Sequence, residues 1–112
     1  MTILDDFTAA RPEDVVRRGN EWYVDAVAAP DVIAEATQRQ VKVLGLEGFL
    51  VGEGGTYPSL SRISDFSNDP PDVASRKALA LLDGEWADPP TPANQMHSEA
   101  AGRYMIAVVL AG

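Results

Sequence analysis

The chain has no cysteine and a single histidine among its 112 residues. The first absence excludes a disulfide framework and leaves the compartment open. A domain of this length buries roughly two-thirds of its unfolded surface, so it needs neither disulfide nor metal to fold. The second absence starves general-base and metal-ligand chemistry. His97 has no partner at a recognised spacing, and on a hairpin strand its side chain and that of Ser98 would point to opposite faces. Long apolar runs are missing too. The longest, from Met105 to Ala111, is far too short to cross a bilayer. The opening MTILDDFTAARPEDVVRRG carries two aspartates where a secretory leader would be basic. These features lead to the expectation of a cytoplasmic protein.

Positive charge is scarce: nine lysines and arginines face seventeen acids, for a formal charge of −8. That balance repels nucleic-acid phosphate and anionic lipid, which are held chiefly by Lys and Arg. The only basic pairs, Arg17-Arg18 and Arg76-Lys77, have no aromatic residue interleaved as a stacking platform would need. The expectation is no nucleic acid and no membrane; a basic protein is the partner this charge favours.

What is present is a globular composition, 46% hydrophobic, with secondary-structure signals from end to end. Pro12-Glu13-Asp14, then Arg17-Arg18-Gly19, place proline and acids first and bases and glycine last, the asymmetry of a short helix. A turn at Gly19-Asn20 and a strand from Glu21 to Val27 follow; an interrupted helix reaching about Ala28 is the alternative. Ala29-Pro30-Asp31 opens a second helix with Val32, Ile33 and Ala36 inward. Val41 to Val51 reads as a covered strand, with Val41, Val43, Phe49 and Val51 on one face and Leu44, Leu46 and Leu50 on the other. Gly45 and Gly48, around Glu47, suggest a bulge or a close backbone approach. Tyr57 to Phe66 is less regular, and Pro58 argues against a central strand. Asp69 as N-cap and Pro70 at the first position start a helix to Leu82 that buries Ala74, Ala78, Leu81 and Leu82. A proline-rich connection from Trp86 to Ala93 leads to a hairpin whose first arm is Asn94 to Ser98 and whose second is the β-rich run Arg103 to Leu110. The fold class expected is α/β (α+β): a single small domain over residues 1–112, with a mixed or antiparallel sheet packed on about three helices.

Candidate chemistry thins out on inspection. GEGGTY, from Gly52, lacks the Gly-Lys-Ser/Thr of a phosphate loop and does not complete G-x-G-x-x-G, since Tyr57 stands at the last position. Glu53 would repel phosphate, so the stretch reads as a hairpin tip. Asp65, Asp69 and Asp72, and the pair Asp83 and Glu85, read as capping and solvated acids; an EF-hand's closing glutamate has no counterpart. No cofactor, metal or catalytic set is expected. Trp22, Tyr23, Tyr57 and Trp86, near element ends and beside acids, suit anchors for a basic protein surface.

Three patches, EWYVDAVAAPDVIAEA (Glu21 to Ala36), VLGLEGFLV (Val43 to Val51) and YPSLSRISDFS (Tyr57 to Ser67), together resemble immunity proteins of bacterial polymorphic toxin systems. The resemblance covers about half the chain and carries over no individual residue. It implies inhibition by binding: an immunity protein occludes a cognate toxin, often a basic nuclease, with surface acids. The leading expectation is therefore a non-enzymatic inhibitor that binds a basic partner through Glu47, Glu53, Asp65 and Asp69, with Tyr57 as anchor. A second reading is a small enzyme or ligand-binding domain with a pocket beneath the sheet at Glu47, His97 and Tyr104. A third is a subunit of a larger assembly, in contact through an apolar edge strand from Met105 to Leu110. The oligomeric state is left open.

Overall fold

A computed structural model describes residues 2–89 and 102–111. Three helices, α1 (Ile3–Ala10), α2 (Ala29–Gln38) and α3 (Pro71–Asp83), lie on one face of a five-stranded sheet built from β1 (Val15–Arg18), β2 (Glu21–Asp25), β3 (Val43–Gly52), β4 (Gly55–Asp65) and β5 (Arg103–Leu110). The strand order is β1-β2-β5-β3-β4, and every pairing is antiparallel. This is the expected α+β class.

Helix α1 was not anticipated, although its start is written in the sequence. Thr2 and Asp5 form a capping box: the Asp5 N–H donates to Thr2 Oγ1 and the Thr2 N–H to the Asp5 carboxylate, both at 3.1 Å. The helix expected from Pro12 is instead one 3-10 turn, Pro12–Asp14, followed by β1. Val15 and Val16 are β-branched, and a two-residue loop at Gly19-Asn20 folds them back on β2. Gly19 takes the left-handed conformation (φ +61°) that such a loop requires. Pairing with a neighbour outweighed the helix-end signals. Strand β2 stops at Asp25, whose carboxylate accepts the Val27 N–H at 2.9 Å and turns the chain into α2.

Helix α2 buries Ala29, Val32, Ile33 and Ala36 completely, as its spacing requires. Helix α3 begins at Pro71 with Pro70 as N-cap and no side-chain cap; Asp69 instead pairs with Lys77 at 3.1 Å. Its buried positions are Ala74, Ser75, Ala78 and Leu82, with Leu81 half-buried.

Strand β5, the most apolar stretch, sits in the middle of the sheet, hydrogen-bonded to β2 and β3. Its residues Tyr104 to Val108 are all buried, as befits a strand covered on both faces. It is therefore not an edge available for assembly. The edges are β1, four residues long, and β4, which carries Pro58 and a three-residue register slip opposite Gly48.

The expected division of β3 into two faces fails at one point. A slip in the pairing with β5 between Val43 and Gly45 turns Val43 to the helical side with Leu46 and Leu50, where Val41 also packs, and leaves Leu44 at the open face instead of with Leu46 and Leu50. Phe49 and Val51 remain on the other face with Tyr23, Met105 and Ala107. The slip is the irregularity that the glycines announced. A Cβ on Gly45 would stand 2.8 Å from the Ser64 carbonyl oxygen, so β4 approaches where only glycine leaves room.

Between the segment after α3 and the sheet lies a polar pin. Arg62, 9% exposed, donates from Nη1 to the Tyr104 hydroxyl and to the Asp88 carbonyl, both at 2.6 Å. Tyr104 in turn donates to the Trp86 carbonyl at 2.9 Å. Burial pushes the Tyr104 phenol above its ordinary range, with the Arg62 bond pulling the other way. The pin fixes the start of the connection after α3 against β4 and β5.

Candidate functional site

The helices cover one face of the sheet only. On the other, the strands curl so that Tyr23 and Phe49 meet edge to face, ring centroids 5.0 Å apart, on either side of fully buried Met105. This closes the end of the face near β2. The far end stays open.

Strand alternation fixes what stands there. Val109, Gly45 and Asp65 form one row across β5, β3 and β4, and Ala107, Glu47 and Ile63 form the next. Ile63 is 56% exposed and Val109 43%. With Leu44 they line a shallow groove of about 410 Å³ floored by Gly45. Glu47 is half-buried and makes neither hydrogen bond nor ion pair among the described residues. Asp65 is exposed and is held below the usual carboxylate range, first by the Ser67 hydroxyl and amide and only lastly by the charge of Lys42. The Lys42 ammonium itself is bound to the Ser67 carbonyl at 2.6 Å.

The structure thus brings two of the expected partner-binding residues together, Glu47 and Asp65, and separates the other three from them. Glu53 is exposed at the two-residue β3–β4 turn, eight residues along the strand from Gly45, about 25 Å at the rise of a strand. The GEGG stretch is indeed a hairpin tip. Asp69 precedes α3 and is tied to Lys77. Tyr57 pairs with Leu50 and packs on the main core, on the helical side, turned away from Glu47.

The other aromatic residues are also turned inward. Tyr23 and Trp86 are buried, and Trp22 is half-buried with the Arg17 guanidinium 4.6 Å from its ring centroid. Of the exposed large apolar side chains among the described residues, Val27, Ile63 and Val109, two lie at the groove. Sequence reading missed Ile63 and Val109 because a β-branched residue in a strand carries the same signal whether or not its face is covered.

The pocket reading loses its geometry. Glu47 stands opposite Ala107, whereas Tyr104 is three residues away on β5 and faces the helices. The sheet separates the two, and His97 lies outside the described residues. A second cleft of about 410 Å³ opens between the start of α1, Trp22 and the end of β5. Its charged group, Arg39, is held by Asp6 at 2.7 Å and Glu35 at 2.8 Å, which raises its already high pKa. The rest of its lining is apolar apart from Thr2, whose hydroxyl is engaged in the α1 cap. Among the described residues no group of three or more His, Cys, Asp or Glu side chains could hold a metal ion, and no helix is long and apolar enough to cross a membrane.

No family model matches the chain, and neither a curated protein nor a solved structure is similar enough to count as a match, so the groove on the uncovered sheet face is read from its own geometry.

Proposed function

We propose that this chain is a non-enzymatic protein-binding domain that docks a basic partner on the open end of its sheet, acting as an inhibitor of the immunity-protein kind. The observation that carries the reading is the juxtaposition of Glu47 and Asp65, neither in an ion pair among the described residues, with the exposed side chains of Ile63 and Val109. The exposed Ile63 and Val109 on either side of the groove support a contact surface there. Carboxylates among them select for a partner of opposite charge. The overall charge of −8 works in the same direction, by speeding encounter with a basic protein. Binding alone suffices for inhibition where the bound surface includes the partner's active site.

The test is affinity capture from the lysate of the source cells, with the tagged wild type and the double variant Glu47→Lys/Asp65→Lys, at low and raised salt. The wild type should retain a stoichiometric basic protein that salt releases and that the variant does not retain. Addition of the wild type should then inhibit whatever activity that protein has. Retention of no basic protein, or equal retention by the variant, would overturn the proposal.

A further inference from the structure

The open end of the sheet has an edge as well as a face, and we infer that the free edge of β4 takes up an extended segment of the partner as an added, antiparallel strand. The inference rests on the protein-binding reading above and names how the partner is held. The register decides which backbone groups are free. In an antiparallel ladder, residue pairs that exchange both hydrogen bonds alternate with pairs that exchange none. Phe66 donates its N–H to the Leu44 carbonyl at 2.8 Å, so Leu44–Phe66 and Leu46–Ser64 are bonded pairs, whereas Gly45–Asp65 and Glu47–Ile63 are not. The Ser64 carbonyl accordingly faces β3, where a Cβ on Gly45 would meet it at 2.8 Å. Ile63 and Asp65 therefore turn their N–H and C=O groups outward, to a side on which no strand among the described residues is paired. Both residues are exposed.

The remaining stretches of edge are closed to such pairing. Towards Gly55, β4 carries Pro58, which has no N–H to offer, and the slip opposite Gly48 breaks its line. At the other edge β1 is four residues long, and Arg17, its exposed residue, would repel a basic strand. The stretch from Ile63 to Asp65 has neither proline nor cation, and both of these residues also line the groove beside it. Their side chains select the occupant. Directly opposite residues share a face of the sheet, so the positions facing Ile63 and Asp65 lay their side chains over the open face. An apolar residue fits opposite Ile63, and a lysine or arginine opposite Asp65. A second copy of this chain is a poorer occupant. It would bring together two molecules of charge −8, and so short an edge buries far less than the roughly 1,200 Å² of a stable pair. A partner's strand is one part of a larger contact that extends over the groove.

The test uses the full chain, labelled with nitrogen-15, and the peptide N-acetyl-Thr-Lys-Thr-Val-Thr amide. Paired antiparallel, this peptide sets its lysine opposite Asp65 and its valine opposite Ile63. In the free chain the amides of Ile63 and Asp65 should exchange with solvent faster than those of Ser64 and Phe66. The peptide should move resonances of residues 61–67 and slow exchange at Ile63 and Asp65. Methylating its lysine and valine backbone nitrogens, which face β4, should weaken binding at least about five-fold, as loss of two backbone hydrogen bonds does. Methylating the threonine nitrogen between them should leave binding unchanged. A glutamate in place of the lysine should bind more weakly. Ile63→Pro removes an outward donor without touching the ladder to β3, so it should block the peptide while keeping the wild-type far-ultraviolet circular dichroism; if it fails to fold, the methylated peptides decide alone. Slow exchange of Ile63 and Asp65 in the free chain, unmoved resonances, equal weakening by both methylations, or equal binding of the glutamate peptide would each overturn strand addition. So would concentration-dependent shifts at residues 61–67 without peptide, which would give the edge to a second copy. Capture of a basic partner by Ile63→Pro as well as by the wild type would also overturn it and leave the protein-binding reading intact. Failure of capture would leave the peptide result standing, so the two proposals fail separately.

Discussion

The Arg62–Tyr104 pin makes a sharp quantitative prediction. Tyr104→Phe removes two buried bonds at once, the one accepted from Arg62 at 2.6 Å and the one donated to the Trp86 carbonyl at 2.9 Å. The first involves a charge, worth about 1.5–3 kcal/mol, and the second is neutral, worth about 0.5–1.5 kcal/mol. The variant should therefore lose roughly 2–4 kcal/mol, a drop of about 1–3 M in the urea midpoint at a typical slope for this size. Much of that loss comes from stranding a guanidinium N–H in a site where Arg62 is 9% exposed. If Arg62 is first replaced by Met, no guanidinium remains to strand. Tyr104→Phe should then cost only the Trp86 bond, about 0.5–1.5 kcal/mol. A double-mutant cycle followed by circular dichroism in urea measures the difference, which should be about 1.5–3 kcal/mol of coupling. Equal cost of Tyr104→Phe in the two backgrounds, within about 0.5 kcal/mol, would refute the pin.

Three further outcomes follow from single positions. Gly45→Ala should destabilise by about 1–3 kcal/mol, because its Cβ meets backbone at 2.8 Å; Gly48→Ala should cost less, because the nearest atom there, Arg62 Cβ, stands at 3.1 Å, a crowding that a small shift relieves. Urea midpoints of the two variants decide it, and the reverse order would refute the close approach at Gly45. Tyr104 keeps its proton to higher pH in the folded than in the unfolded chain, so its contribution is complete below about pH 10 and is lost as pH rises through the folded value. Stability of the wild type should accordingly fall more steeply above about pH 10 than that of Tyr104→Phe, and matching slopes in urea titrations would show the phenol is not buried. Ile63→Thr should change stability by no more than about 0.5 kcal/mol, since Ile63 is 56% exposed; a larger loss in thermal melts would mean that the far end of the face is covered after all.

The elements that could be read from the sequence are those whose local pattern and long-range role agree. Helix α2 has its proline at the start and its apolar stripe intact, and β5 is apolar enough to belong nowhere but a covered position. Strand β1 was hidden because the residues just before it, Pro12-Glu13-Asp14, do make a helical turn, only one of the 3-10 kind. What ends that turn is the hairpin with β2, a contact between residues that local propensity weighs separately. Helix α1 was hidden for the opposite reason: eight residues are too short for a periodic stripe to stand out, and its signal is one hydrogen-bonded pair at the cap.

The site was half legible, and the reason lies in how a sheet divides residues. Glu47 drew notice as a partner-binding acid, and Gly45 and Gly48 as glycines where a strand wants side chains. Which face Glu47 occupies depends on register, and a slip of one residue reverses every later side chain. The slip between Val43 and Gly45 does this: it sends Val43 to the helices and sets Gly45 and Glu47 on the face the helices leave bare. The same uncovered face then receives Asp65 from β4 and Val109 from β5, residues 44 positions apart in the chain and adjacent only through β3. Helix and strand signals are local, whereas this groove is a product of strand order. Had β5 paired away from β3, Val109 would not stand opposite Gly45 and the groove would lose one wall. The central place of β5 is thus what both removes an edge for assembly and sets Val109 beside β3 at the open end of the sheet.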